Sequence, residues 1–144
     1  MKKGDWVGLG SVVIIVALGG LLFFYAQYEA SRALIFAPQE VPGSALVVQD
    51  VQENAILTSG TFGVPSFITV HTKVGDAPGP LVGVSSLLEQ GIQTNITVQT
   101  TEALTPNASY VLLMIADDGD GVYEAGVDRP VMVNGQVIRV PIAL

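Results

Sequence analysis

The sequence predicts an all-β domain, a sandwich or barrel of seven or eight strands, behind one N-terminal transmembrane α-helix. Three observations predict it. Residues 6–26 run for 21 positions without a charge. Beyond residue 45 the chain is a series of short aliphatic and β-branched runs separated by Gly, Pro, Asn and Asp clusters. Over all 144 residues 49% are hydrophobic and 13% charged, where an ordinary soluble domain carries about 25% charge. That imbalance calls for a segment that does not face water.

The helix comes first. WVGLGSVVIIVALGGLLFFYA rises roughly 31 Å as an α-helix, about the depth of a bilayer core. Trp6 stands at one end and Tyr25 and Tyr28 at the other, as an aromatic belt at both interfaces requires. Lys2 and Lys3 precede the run, and only Arg32 comes closely after it. The positive-inside rule therefore puts residues 1–5 in the cytoplasm and the C-terminal domain outside the cell membrane. A cleaved signal peptide has an apolar run of about 7–15 residues and a small-residue cleavage site. Here the run is longer and continues as QYEASRALIF, so an uncleaved signal-anchor is expected. The span is assigned to residues 6–28, with the helix able to continue to 36 because Pro38 is the first breaker. Membrane lipid is one expected partner. Other membrane subunits, packed on the helix face of residues 12–24, are the second.

Residues 37–44, APQEVPGS, lack apolar periodicity and read as a linker. The β domain spans 45–144. Its strands are expected at LVVQDV (46–51), AILTSGTF (55–62), FITVHTKV (67–74), PLVGVSS (80–86), NITVQT (95–100), SYVLLMIA (109–116) and the pair within PVMVNGQVIRVPI (130–142). Short strands at this spacing argue for a sandwich or barrel. Asn134-Gly135 predicts a type I′ hairpin turn, because both residues tolerate positive φ. NITVQT alternates, with Ile96 and Val98 on one face. VLLMIA is continuous and should be a central strand buried on both faces. SSLLEQGIQ (85–93) reads as irregular.

Charge and composition exclude several functions. There is no cysteine, hence no disulfide framework and no thiolate chemistry. One histidine cannot build a multi-His metal cage. The copper-bearing subunit of haem–copper oxidases has a similar layout, but its site needs Cys, His and Met ligands. The net charge is −7, which argues against nucleic acid as a partner. The first 44 residues balance Asp5, Glu29 and Glu40 against Lys2, Lys3 and Arg32, so the whole excess belongs to the β domain. An acidic exterior keeps such a domain soluble and off anionic headgroups.

The densest polar cluster is DDGDGVYE, 117–124. Asp117, Asp118, Asp120 and Glu124 with two glycines make an oxygen-rich loop of the kind hard cations such as Ca²⁺ take. The spacing fails the EF-hand template: with Asp120-Gly121 at positions 5 and 6, position 1 is Ala116. The same residues suit an acidic β-turn, in which Gly supplies φ > 0 and Asp bonds its own backbone. The turn is the favoured reading. No cofactor is expected unless Ca²⁺ binds these four residues. His71 lies within FITVHTK with no nucleophile motif beside it, and no enzyme activity is expected. Asn95-Ile-Thr97 and Asn107-Ala-Ser109 are N-glycosylation sequons.

Several blocks occur in order: a "Q" strand at 49–51, FITVH at 67–71, a Gly/Ser/Leu/Asn block at 83–98, and the acidic segment 117–124. This order resembles a family of uncharacterised extracellular domains found in archaeal surface proteins and in secreted proteins of some bacteria, Chloroflexota among them. The resemblance covers residues 46–138. It implies an immunoglobulin-like β-sandwich and a cell-surface location, and it implies no activity. Where the family pattern has a histidine before the acidic loop, this chain has Ile115-Ala116.

These readings converge on a membrane-anchored, non-catalytic extracytoplasmic protein, an accessory or structural subunit of a larger membrane complex. The alternative is a pilin-like filament or adhesion subunit. KKG before an apolar run is similar to a prepilin processing site, but Asp5 comes directly after it and no Glu stands early in the helix.

Overall fold

A computed structural model describes residues 37–144. The helix assigned to 6–28, its interface residues Trp6, Tyr25 and Tyr28, and the cytoplasmic 1–5 lie outside the described residues. Among the described residues there is no helix, and the chain forms ten strands in two sheets.

The small sheet holds β2 (Ala45–Gln52), β3 (Ala55–Phe62) and β6 (Gly91–Gln99), in the order β2-β3-β6 and antiparallel throughout. The large sheet has the path β1-β8-β7-β4-β5, from β1 (Gln39–Glu40), β8 (Arg129–Val133), β7 (Ser109–Ala116), β4 (Ser66–Val74) and β5 (Ala77–Val84). On it, β10 (Arg139–Ala143) pairs with β7, and β9 (Gln136–Val137) pairs with β8. β5 carries Pro78 and Pro80, which cannot donate to a ladder, and it lies at the sheet edge as proline requires. Near its end Gly83 meets β6 so closely that an added Cβ would lie 2.6 Å from the Gln99 carbonyl oxygen. That close approach brings the two sheets together along one side.

The strands form where the apolar patterning placed them. In β6, Ile96 and Val98 are buried and Thr97 and Gln99 exposed. From Tyr110 to Ala116 every residue of β7 is buried. Tyr110, Leu112, Met114 and Ala116 belong to the main core, with Ile56, Phe62, Ile68, Val70, Val98 and Val131. Val111, Leu113 and Ile115 belong to a second cluster with Phe67, as period-2 alternation dictates for a strand covered on both sides. Asn134 and Gly135 have φ of 52° and 77°, both positive, as a type I′ turn needs.

Three boundaries differ from the sequence reading. The strand expected at 80–86 runs from Ala77 to Val84, because Ala77 and Pro78 already pair with Val74 and Lys73 of β4. β6 begins at Gly91, with only 85–90 irregular and Leu88 bridged to Ser66. A bulge lets it begin so early: Gly60 pairs with Gln93 and Thr58 with Ile96, so Thr94 and Asn95 together face Ser59. Residues 37–44 do more than link. β1 runs parallel to β8, Val41 is buried, and Ser44 Oγ accepts the Gly63 N–H at 3.1 Å. One apolar side chain between two prolines offers no period to read.

Candidate functional site

The residues singled out from the sequence gather in one loop and two separate asparagines. The loop, 117–128, joins β7 to β8 at the end of the domain where the chain enters β2. It is organised by its own carboxylates. Asp117 accepts the Gly121 N–H on both oxygens, at 3.1 and 3.2 Å. Asp118 Oδ1 accepts Asp120 N–H at 3.2 Å, and Asp120 Oδ1 accepts Val122 N–H at 2.8 Å. These i to i+2 contacts are Asx-turns. Gly121, at φ 76°, takes a backbone conformation that other residues resist.

Carboxylate oxygens of Asp117, Asp118 and Asp120 lie within 4.8 Å of one another. Glu124 is not part of that group. Its backbone N–H is held at 2.8 Å by Asp128. Asp128 is the residue the sequence pattern underrates. It is 4% exposed, and its other oxygen accepts the Asp118 N–H at 3.1 Å. One buried carboxylate thus pins both limbs of the loop. A single Asp ahead of a strand carries no sequence mark of burial, so spacing alone could not separate it from a surface acid.

Tyr123 is the second residue not singled out. Its ring packs edge-to-face on Phe67, centroids 5.8 Å apart and planes at 68°, a favoured aromatic geometry. With Leu87, Val84 and Val137 it covers Phe67, Val111, Leu113 and Ile115 on the outer face of the large sheet. Burial raises the phenol pKa above its ordinary value, and the negative charge of Asp128 raises it further. An aromatic inside a polar run, GVYEAG, was the available signal. The loop is therefore a lid on hydrophobic surface as well as an acidic turn. Its chemical capacity is three clustered carboxylates whose nearest donors are their own backbone amides.

His71 is separate from this loop. Its Nδ1 lies 3.0 Å from the Gly79 carbonyl oxygen and its Nε2 3.0 Å from Thr69 Oγ1. A carbonyl only accepts, so Nδ1 carries the proton and donates it, and in the neutral ring Nε2 accepts from Thr69. The ring ties β4 to the edge strand β5.

Asn95 and Asn107 are both exposed, with φ of 55° and 65°. Asn95 sits in the β6 bulge. Asn107 is the third residue of a turn closed by the Ala108 N–H on the Thr105 carbonyl, with Pro106 before it, the arrangement of a type II turn.

The fold and its lid define a class: an all-β sandwich of two sheets. The chain belongs to the family described as Domain of unknown function (DUF7282), whose model matches residues 33–142. It is 34% identical over 113 residues to "Cell surface glycoprotein 2" of the archaeon Haloarcula hispanica. That match takes in 76% of this chain and 11% of the relative, so the chain corresponds to a small part of that protein's length. No solved structure matches.

Proposed function

We propose that this chain is a membrane-anchored, non-catalytic extracytoplasmic protein. In this reading a helix over residues 6–28 holds an immunoglobulin-like sandwich outside the cell membrane. The domain serves there as an accessory or structural subunit of a larger membrane complex. The observation that carries the proposal is the family membership, together with a relative that bears the name of a cell surface glycoprotein.

The strand layout supports the immunoglobulin-like part. β2, β3 and β6 face a sheet in which β5, β4, β7 and β10 are neighbours, a Greek-key division of seven strands. Tyr110, at the start of β7, accepts the Thr105 N–H on its hydroxyl at 2.9 Å. A tyrosine bonded back to the backbone a few residues upstream, where the chain crosses between sheets, is a corner typical of such sandwiches. The non-catalytic part is supported by the occupied state of the polar groups. The loop carboxylates hold backbone amides, and His71 is fixed between Thr69 and Gly79.

The test is purification of the tagged full chain in mild detergent, with mass spectrometry of the proteins that accompany it. Stoichiometric recovery with a defined membrane complex is the expected result. Recovery alone as a monomer overturns the subunit role. Recovery as a homopolymer lacking its first residues replaces it with a filament.

A further inference from the structure

We propose that Asn95 carries an N-linked glycan, and that this glycan covers the bare outer face of the small sheet. The proposal rests on the extracytoplasmic reading above. Asparagine occurs at positions 54, 95, 107 and 134, and only Asn95 and Asn107 have a hydroxyl residue two positions on.

The outer face of the small sheet is unlike that of the large one. Ile92 is 79% exposed and Val47 59%. With Ala45, Ser59, Gly60, Thr61 and Gln93 they line a shallow hollow of about 220 Å³. Thr94, the other residue of the bulge, is on its rim. Among the described residues no strand or loop covers this surface. A bulky, strongly hydrated oligosaccharide attached one residue from the rim would shield it and the adjoining open strand edges.

The two sequons differ in local freedom. Asn107 donates its N–H to the Leu144 carbonyl at 2.8 Å, and Ser109 pairs with Ala143. The C-terminal strand therefore clamps that tripeptide. Asn95 has no partner in the β3–β6 register, and the extra residue of a bulge is out of the ladder by construction. Asn95 and Thr97 are exposed, and among the described residues neither side chain is engaged in a hydrogen bond. The acceptor amide can therefore turn toward a transferase.

In the step itself Asn95 Nδ2 forms a bond to the anomeric carbon of an oligosaccharide carried on a lipid phosphate. The bond from that carbon to the phosphate oxygen breaks, the lipid phosphate leaves with the electron pair, and Nδ2 loses one proton. Nothing is oxidised or reduced.

The test uses the full chain from the cells that make it, cleaved after glutamate. Glu89 and Glu102 bound the peptide with Asn95, and Glu102 and Glu124 bound the peptide with Asn107. The expected result is peptide 90–102 carrying saccharide mass, with that mass absent from Thr97→Val. Asn95→Gly keeps the positive φ and should fold while also losing the mass. Intact Thr97→Val should bind a hydrophobic dye several-fold more than the parent chain, and Ile92→Ser should reverse the rise. A bare 90–102 peptide, with 103–124 modified or not, overturns the proposal. So does a modified peptide whose loss leaves dye binding unchanged. Protease treatment of intact cells separates the two readings. A domain that is released but bare refutes the glycan alone, and a domain that is never accessible refutes the surface location.

Discussion

The two outer faces of the sandwich are built from the same kind of strand and end differently. On the large sheet Phe67, Val111, Leu113 and Ile115 are at most 6% exposed, because the 117–128 loop folds back and lays Tyr123 on them beside Val84, Leu87 and Val137. On the small sheet Val47 and Ile92 remain in solvent. The difference lies in the connections between strands. β7 leads into a loop long enough to return, pinned by Asp128. β2 and β3 are joined by a short turn with nothing to spare. An apolar face becomes core only when some other part of the chain can reach it.

Truncation on the two faces should show the largest contrast. Phe67→Ala is expected to destabilise by about 3–5 kcal/mol, as buried aromatic truncations do. Ile92→Ala should stay within about 0.5 kcal/mol. Urea unfolding of both variants measures this directly, and equal losses would erase the distinction.

Asp128→Ala comes next. It leaves the Asp118 and Glu124 amides without their acceptor, a loss of about 1–3 kcal/mol where the donor is shielded. The expected sign is a lower Tm with early proteolysis within 117–128. A protease pattern like that of the parent chain would show that the loop holds without it.

Alkaline pH should open the same lid. The folded state binds the Tyr123 proton more tightly than the unfolded chain does, since burial and Asp128 both raise the phenol pKa. That contribution is complete below about pH 10 and is lost as pH climbs through the raised folded value. Tyr123→Phe should remove this part of the alkaline fall in Tm. An unchanged slope above pH 10 would dissociate Tyr123 from the effect.

The smallest expected effect is that of calcium. Asp117, Asp118 and Asp120 already hold the loop's own amides, so millimolar Ca²⁺ or a chelator should leave Tm within about a degree. With ΔΔG of 1 kcal/mol worth about 4–8 °C in a domain this size, a rise of several degrees would identify the cluster as an ion site.

Most of the strands were legible because period-2 burial leaves a direct trace in the residues, as in Ile96 and Val98. The hairpin at Asn134-Gly135 was legible because few residues accept two positive φ values in succession. The lid was only half legible. The acidic turn announces itself through Asp and Gly, whereas Tyr123 and Asp128 act through surfaces contributed by β4 and by the far limb of the loop. Long-range contacts of that kind leave no local spacing. The β1 pairing and the buried Val41 escaped for the same reason, being set by β8, some ninety residues later.

The most direct test of the membrane-anchored surface arrangement uses the lysines, which occur only at positions 2, 3 and 73. Lys73 lies on β4, with its side chain 33% exposed. Intact cells are treated with an amine-reactive reagent that cannot cross membranes, and the purified full chain is mapped by mass spectrometry. The expected result is modification at Lys73 in intact cells, and at Lys2 and Lys3 only after lysis. Protection of Lys73 in intact cells, or labelling of Lys2 and Lys3 there, would contradict an extracytoplasmic domain on an uncleaved anchor.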